Sequence, residues 1–178
     1  MSKEEKTLVN KIANSGLITL NLEDHYPTAT ITTIDIKEFL FKELILKEKD
    51  FRASLKEIDW SLYQDHALLV HCSTDAIIPV WAYMLVSTLA APYVKEIYQG
   101  DNESYLRDHY EKILRSRDYK SFEQQRIVIK GCSNKPVPAS AYSTLASLLQ
   151  PFAQSIMYGE PCSTVPIFKR PRVINKEI

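Results

Sequence analysis

The sequence predicts an α/β fold: a single domain over residues 1–178, with a layered, mostly parallel sheet of about four strands, crossover helices and an N-terminal α+β elaboration. Three observations predict this fold. From residue 66 onward, short apolar runs of strand length alternate with segments of helical period. Each run ends at a turn rich in small polar residues or glycine. No stretch rich in glycine or proline divides the chain, so we expect one domain.

The first third of the chain predicts mixed elements. Apolar residues at helical spacing predict a helix over 8–12. Alternating apolar and polar residues predict a strand over 18–22, and the β-branched run 30–34 predicts a second strand, antiparallel to the first. Asp35 is suited to cap a short helix, and an apolar stripe predicts a longer helix over 47–59.

The rest of the chain predicts four strands joined by three helices. The strands are predicted over 67–70, 94–98, 126–130 and 155–158, and the helices over 79–91, 103–115 and 139–149. Helices of this length between strands are typical of βαβ units, in which right-handed crossovers join parallel strands.

Composition excludes several classes of function. The chain has 22 basic and 22 acidic residues, so its formal net charge is zero and gives no general reason to bind nucleic acid or an anionic membrane. The apolar run 76–91 is interrupted by Pro79 and is shorter than the ~20 residues that span a bilayer. The first residues mix acids with bases and precede no apolar segment, so we expect a cytoplasmic protein. The basic stretch Lys169, Arg170 and Arg172 is interpreted as a solvated tail.

The three cysteines occupy similar positions. Cys72, Cys132 and Cys162 each follow the end of a predicted strand and precede a serine. The carboxyl ends of parallel strands lie along one edge of a sheet, and neighbouring strands are ~4.8 Å apart. We therefore expect the three thiols to gather at one edge and to mark the working site.

The first hypothesis for this site is a metal centre. Thiolates are ligands of zinc and of iron–sulfur clusters. The predicted ligands are Cys72, Cys132 and Cys162, with Asp75, His71 or Glu160 as additional ligands. The short Cys-x-x-Cys pairs common in such sites are absent. His71 and Asp75 also have structural interpretations, as a strand-end residue bonded to a backbone carbonyl and as a helix cap.

Three alternatives stay open. A thiol-dependent enzyme, for example in sulfur transfer, would use one of these cysteines, although Ile78 and Pro138 stand where a Cys-x5-Arg phosphate loop needs arginine. A non-catalytic interaction module would use exposed aromatic residues, with Tyr105 and Tyr110 on a polar helix as candidates. The cysteines would then be inert, as buried free cysteines commonly are.

Several segments resemble an uncharacterised bacterial family, a domain of unknown function. They are 9–17, 46–52, 72–84 (CSTDAIIPVWAYM), 128–132, 136–138 and 158–166 (YGEPCSTVP), and the three cysteines lie inside them. Members of the family are often encoded beside sulfur-mobilisation genes for iron–sulfur cluster assembly. The resemblance therefore implies iron, zinc or sulfur handling and iron–sulfur assembly proteins as partners, and it brings no established activity.

Overall fold

Two separate sheets organise the computed structural model of the chain, which describes residues 16–131 and 134–171. The strands are β1 (Leu17–Asn21), β2 (Ile31–Asp35), β3 (Ala67–His71), β4 (Glu96–Gln99), β5 (Arg126–Lys130), β6 (Ser155–Glu160) and β7 (Ser163–Lys169). The helices are α1 (Glu48–Lys56), α2 (Val80–Ala90), α3 (Asn102–Arg115) and α4 (Ala139–Leu149), and short 3₁₀ helices precede or follow several strands. No helix among the described residues is long and apolar enough to cross a membrane.

The four-stranded sheet has the order β1-β5-β6-β7, and the three-stranded sheet has the order β2-β3-β4. All neighbours pair in parallel except β6 and β7, which form an antiparallel hairpin. The predicted α/β class with a mostly parallel four-stranded sheet is confirmed. The predicted antiparallel pairing of the first two strands is wrong, because β1 pairs with β5 and β2 pairs with β3. The helix predicted over 8–12 lies outside the described residues.

Internal contacts divide the chain into two compact units. The central unit is Pro27–His109, and the terminal unit combines Met1–Tyr26 with Tyr110–Ile178. The division falls inside α3. The single-domain organisation stays a prediction, since no observation tests whether the two units fold together.

The two units repeat the same elements at a constant spacing of 59 residues. β5 begins at Arg126 where β3 begins at Ala67, and α4 begins at Ala139 where α2 begins at Val80. Loop details recur at this spacing as well. Asp65 and Gln124 both have positive φ, of 61° and 58°, and their N–H groups donate to the carbonyls of Tyr93 and Phe152 respectively, both at 3.0 Å. No pattern in the sequence analysed alone predicted this repeat.

Each unit has its own apolar core on the helix side of its sheet. In the central unit, α2 packs Ala82, Val86 and Ala90 against Leu68 and Val70 of β3. In the terminal unit, α4 packs Ala141, Leu145 and Leu149, at the same three helical positions, against Ile127 and Ile129 of β5. The spacing of four residues along each helix keeps these side chains on one face, which explains why both helices pack on their sheets in the same way.

The hairpin of β6 and β7 distinguishes the terminal unit from the central one. Gly159 has φ of 120°, and a Cβ on it would lie 2.6 Å from the carbonyl oxygen of Ser163, so the close approach of the two strands requires glycine. The basic stretch interpreted as a tail is ordered here. Lys169 ends β7, and the Arg170 guanidinium donates to the carbonyls of Gln150 and Pro151 after α4, at 2.8 and 2.9 Å. Arg172 lies outside the described residues.

Candidate functional site

The structure separates the predicted cysteine ligands between the two sheets. Cys72 directly follows β3 of the three-stranded sheet and is half-buried, whereas Cys162 lies exposed in the turn between β6 and β7 of the four-stranded sheet. The expectation of one shared sheet edge is therefore wrong for Cys72, because β3 does not belong to the sheet of β5 and β6. Cys132 lies outside the described residues, so the three-cysteine centre stays a prediction.

The additional predicted ligands are also distributed between the strands of the two sheets and the loops that follow them. His71 ends β3, Asp75 is exposed in the following loop, and Glu160 ends β6 with an oxygen 3.3 Å from Lys130 Nζ. Over residues 16–131 and 134–171, no three His, Cys, Asp or Glu side chains come together as a metal site. The interpretation of Asp75 as a helix cap is wrong as well, since the residue at the start of α2 is Pro79.

Polar groups do meet at the carboxyl edge of the three-stranded sheet. Asp35 Oδ1, at the end of β2, accepts hydrogen bonds from the backbone N–H groups of Lys37 at 2.9 Å and Ser73 at 3.0 Å. Desolvation opposes ionisation of Asp35, but the hydrogen bonds from Ser73 and Lys37 outweigh it and hold the pKa of this carboxyl below its ordinary value. The pKa of the Tyr83 phenol is raised, chiefly because burial disfavours its charged form and also because Cys72 and Asp35 lie nearby. Asp35 thus fixes the loop that carries Cys72.

The terminal unit fixes its equivalent loop with a different carboxylate. Glu23, only 7% exposed, lies just after β1, and its Oε1 accepts a hydrogen bond from the backbone N–H of Asn134 at 2.9 Å. A buried carboxylate is tolerated where such hydrogen bonds satisfy it. This contact connects the end of β1 to the segment that leads from β5 into α4.

That segment borders an apolar concavity of the terminal unit, a cavity of about 490 Å³ that we call the α4 cavity. Its floor is formed by strand residues, namely Ile129, Ile156, Met157, Tyr158 and Ile167. Its wall is formed by α4 and the segment before it, namely Val137, Ala139, Tyr142, Ser143 and Ala146.

Two features of the sequence create the α4 cavity. β7 extends the four-stranded sheet beyond β6, so part of the sheet lies beside α4. The wall positions of α4 are occupied by small residues, Ala139, Ser143 and Ala146, at intervals of four and three residues along one helical face. The equivalent positions of α2, 59 residues earlier, hold the larger Val80 and Met84 and a serine, Ser87. The cavity is therefore a property of the terminal unit and not of the repeated fold.

An aromatic pair contributes to the lining of the cavity. The rings of Tyr142 and Tyr158 meet edge to face, with centroids 5.6 Å apart and an interplanar angle of 80°. Tyr158 is 47% exposed. The arrangement offers apolar contact and aromatic stacking to a ligand.

Sequence reasoning did not find the residues of this cavity. It predicted no strand over 163–169 and singled out no side chain of the helix predicted over 139–149. The 59-residue repeat is the signal that could have indicated the cavity. Tyr142 matches Tyr83, whereas the small Ser143 stands where the first copy of the repeat has the large Met84.

Comparison with known proteins places the chain in a family. A family model described as "Protein of unknown function (DUF2480)" matches residues 6–170, and the chain belongs to that family. No curated protein matches the chain, and no solved structure does. The gene neighbourhood implied by the sequence resemblance stays a prediction.

Proposed function

We propose that this member of the DUF2480 family is a binding protein for a small, mostly apolar molecule that occupies the α4 cavity. The observation that carries the proposal is the cavity itself, about 490 Å³ in volume and lined mainly by apolar side chains. Pockets for small molecules commonly measure ~300–1,000 Å³ and combine an apolar lining with a few polar groups.

The position of the cavity supports the proposal. Ile129 and Tyr158 lie near the carboxyl ends of the parallel strands β5 and β6. Ligands of open α/β sheets bind at this edge, because the loops that follow the strands there diverge and leave a crevice. The Glu23–Asn134 hydrogen bond holds one of these loops, which favours a preformed site.

The lining indicates the kind of ligand. Floor residues such as Ile156 and Met157 offer apolar area, and burying apolar surface contributes ~25 cal/mol per Å². Tyr142 and Tyr158 present ring surface on which a flat group can stack, and the Ser143 hydroxyl can exchange hydrogen bonds with a polar substituent. We infer a ligand with an aromatic or alicyclic body and at most one polar group directed toward α4.

This function differs from the hypotheses drawn from the cysteines. No cysteine is among the described residues that line the cavity. The metal and iron–sulfur hypothesis rests on the sequence and on the family resemblance.

A dye titration tests the proposal. 8-Anilinonaphthalene-1-sulfonate fluoresces strongly in apolar sites, and we expect it to bind the native protein with saturable, one-site behaviour. The variant Ser143→Met places in α4 the residue that α2 carries at the equivalent position, fills the cavity and should weaken dye binding at least ~10-fold.

The matched control is Met84→Ser, the reverse exchange in the central unit. It leaves the cavity unchanged, so dye binding should equal that of the unmodified protein. Dye binding that is lost in Met84→Ser and retained in Ser143→Met would place the site on α2 and contradict the proposal, as would the absence of saturable binding.

A further inference from the structure

The repeat reveals a difference between the two sheets. β7 pairs with the outer side of β6, whereas no strand among the described residues pairs with the outer side of β4, the equivalent strand. In β6, Ile156 lies opposite Phe168, and Tyr158 lies opposite Val165. The residues 59 positions earlier are Ile97 and Gln99 of β4.

The backbone of β4 is oriented to accept a further strand. The N–H groups of Glu96 and Gly100 point toward β3, where they donate to the carbonyls of His66 and Val70. Backbone groups alternate in direction along a strand, so Ile97 and Gln99 present their N–H and C=O groups to the open side. Gln99 is exposed, which leaves this side accessible.

An apolar stripe formed by α2 and the loop before it borders the same open position. Ile77, Val80 and Met84 are 93%, 73% and 63% exposed. In the terminal unit, the positions equivalent to Val80 and Met84 face the region of β6 and β7 and are small, which leaves the α4 cavity. In the central unit the same positions are large and apolar, and no strand among the described residues pairs with the outer side of β4, so their side chains are left in solvent.

We propose that the edge of β4 and the stripe Ile77–Val80–Met84 form an interface with a second copy of this chain. A two-fold axis pairs identical edge strands antiparallel, which is the orientation that β7 adopts on β6. Pairing joins the two three-stranded sheets into one, and the two stripes meet on the same face of it.

Charge complementarity favours a second copy as the occupant. In the register centred on Tyr98, Ile97 pairs with Gln99 of the second copy, so that the outward-directed groups of both strands are satisfied. The two-fold arrangement also brings Lys95, which precedes β4, toward Asp101 of the second copy, which follows β4, and both of these charged residues are exposed. The strand edge is thus self-complementary in hydrogen bonding, in apolar surface and in charge.

Sedimentation velocity over protein concentrations from nanomolar to near-millimolar tests the interface. The unmodified chain should form a dimer. The variant Met84→Asp should raise the dimer dissociation constant at least ~10-fold, because each interface would then bury two unpaired carboxylates. The matched control is Leu62→Asp, which changes a residue that is also in the central unit, 72% exposed and outside the stripe; it should leave the dissociation constant unchanged.

Amide hydrogen exchange gives a second readout that specifies the strand. The amides of Ile97 and Gln99 should exchange more slowly at dimer-forming concentrations than in dilute protein, and they should lose this protection in Met84→Asp. A native chain that is monomeric throughout, a dimer unaffected by Met84→Asp, or concentration-independent exchange at both amides would each overturn the proposal. A monomer whose Ile97 and Gln99 amides become protected only on adding another protein would assign the edge to a different partner.

Discussion

Met84 and Ser143 occupy the same position of two equivalent helices, 59 residues apart, and their side chains have opposite consequences. Met84 projects from α2 into solvent with 63% of its surface exposed, whereas Ser143 leaves room on α4 for a cavity of about 490 Å³. A shared backbone thus carries a projecting apolar stripe in one unit and a concave apolar site in the other.

Exchanging these two residues should affect stability in only one unit. Ser143→Met adds apolar contacts with the cavity floor and should raise the free energy of unfolding by up to ~1 kcal/mol. Met84→Ser removes an exposed side chain and should change it by less than ~0.5 kcal/mol. Urea denaturation of the two variants measures both effects, and a loss of more than ~1 kcal/mol in Ser143→Met would show that the cavity cannot hold the larger side chain.

Removing the Glu23 carboxylate should destabilise the terminal unit. Glu23→Ala removes a part-buried hydrogen bond between the Asn134 N–H and a charged acceptor and should cost roughly 1–3 kcal/mol in the free energy of unfolding. Glu23→Gln keeps an acceptor oxygen and should cost less. The control Glu57→Ala changes an exposed glutamate and should be nearly neutral in the same denaturation experiment; equal losses at positions 23 and 57 would refute the assigned role.

The charge of Asp35 should make stability depend on pH in the acid range. The folded-state pKa of Asp35 lies below its ordinary value of 3.8, so the ionised carboxyl contributes stability that is complete above that value and is lost as the pH falls through the folded-state pKa. Asp35→Asn keeps an acceptor oxygen but removes the charge. The native protein should exceed this variant by on the order of 1 kcal/mol at neutral pH, and the two should converge well below pH 3.8. Urea denaturation across this range checks the convergence; a constant difference would contradict it.

The cysteine hypothesis can be tested by metal content. A three-cysteine centre predicts stoichiometric zinc or iron in protein purified without oxygen, and equal loss of metal in Cys72→Ser and Cys162→Ser. Elemental analysis of the native protein and both variants measures the metal content, and a metal-free native protein, or metal retained in either variant, would contradict the hypothesis.

Local sequence was sufficient to identify most strands and helices. β3 and β5 are short apolar runs with three or four consecutive buried residues, which is the pattern of strands covered on both faces. α2 and α4 follow prolines and have helical spacing of their buried residues. β7 was not identifiable in this way, because it contains Pro166 and mostly exposed residues; its strand conformation depends on pairing with β6.

The amino-acid sequence by itself thus determined most of the elements, the parallel connections β3-α2-β4 and β5-α4-β6, and the absence of a strong net charge, because these depend on residue type and short-range periodicity. The tertiary structure alone decided which strands share a sheet. Leu17 pairs with Arg126 through contacts between distant parts of the chain, which no local pattern encodes. For the same reason, only the tertiary structure could separate Cys72 from the sheet of Cys162 and bring β7 beside the small residues of α4 to form a cavity.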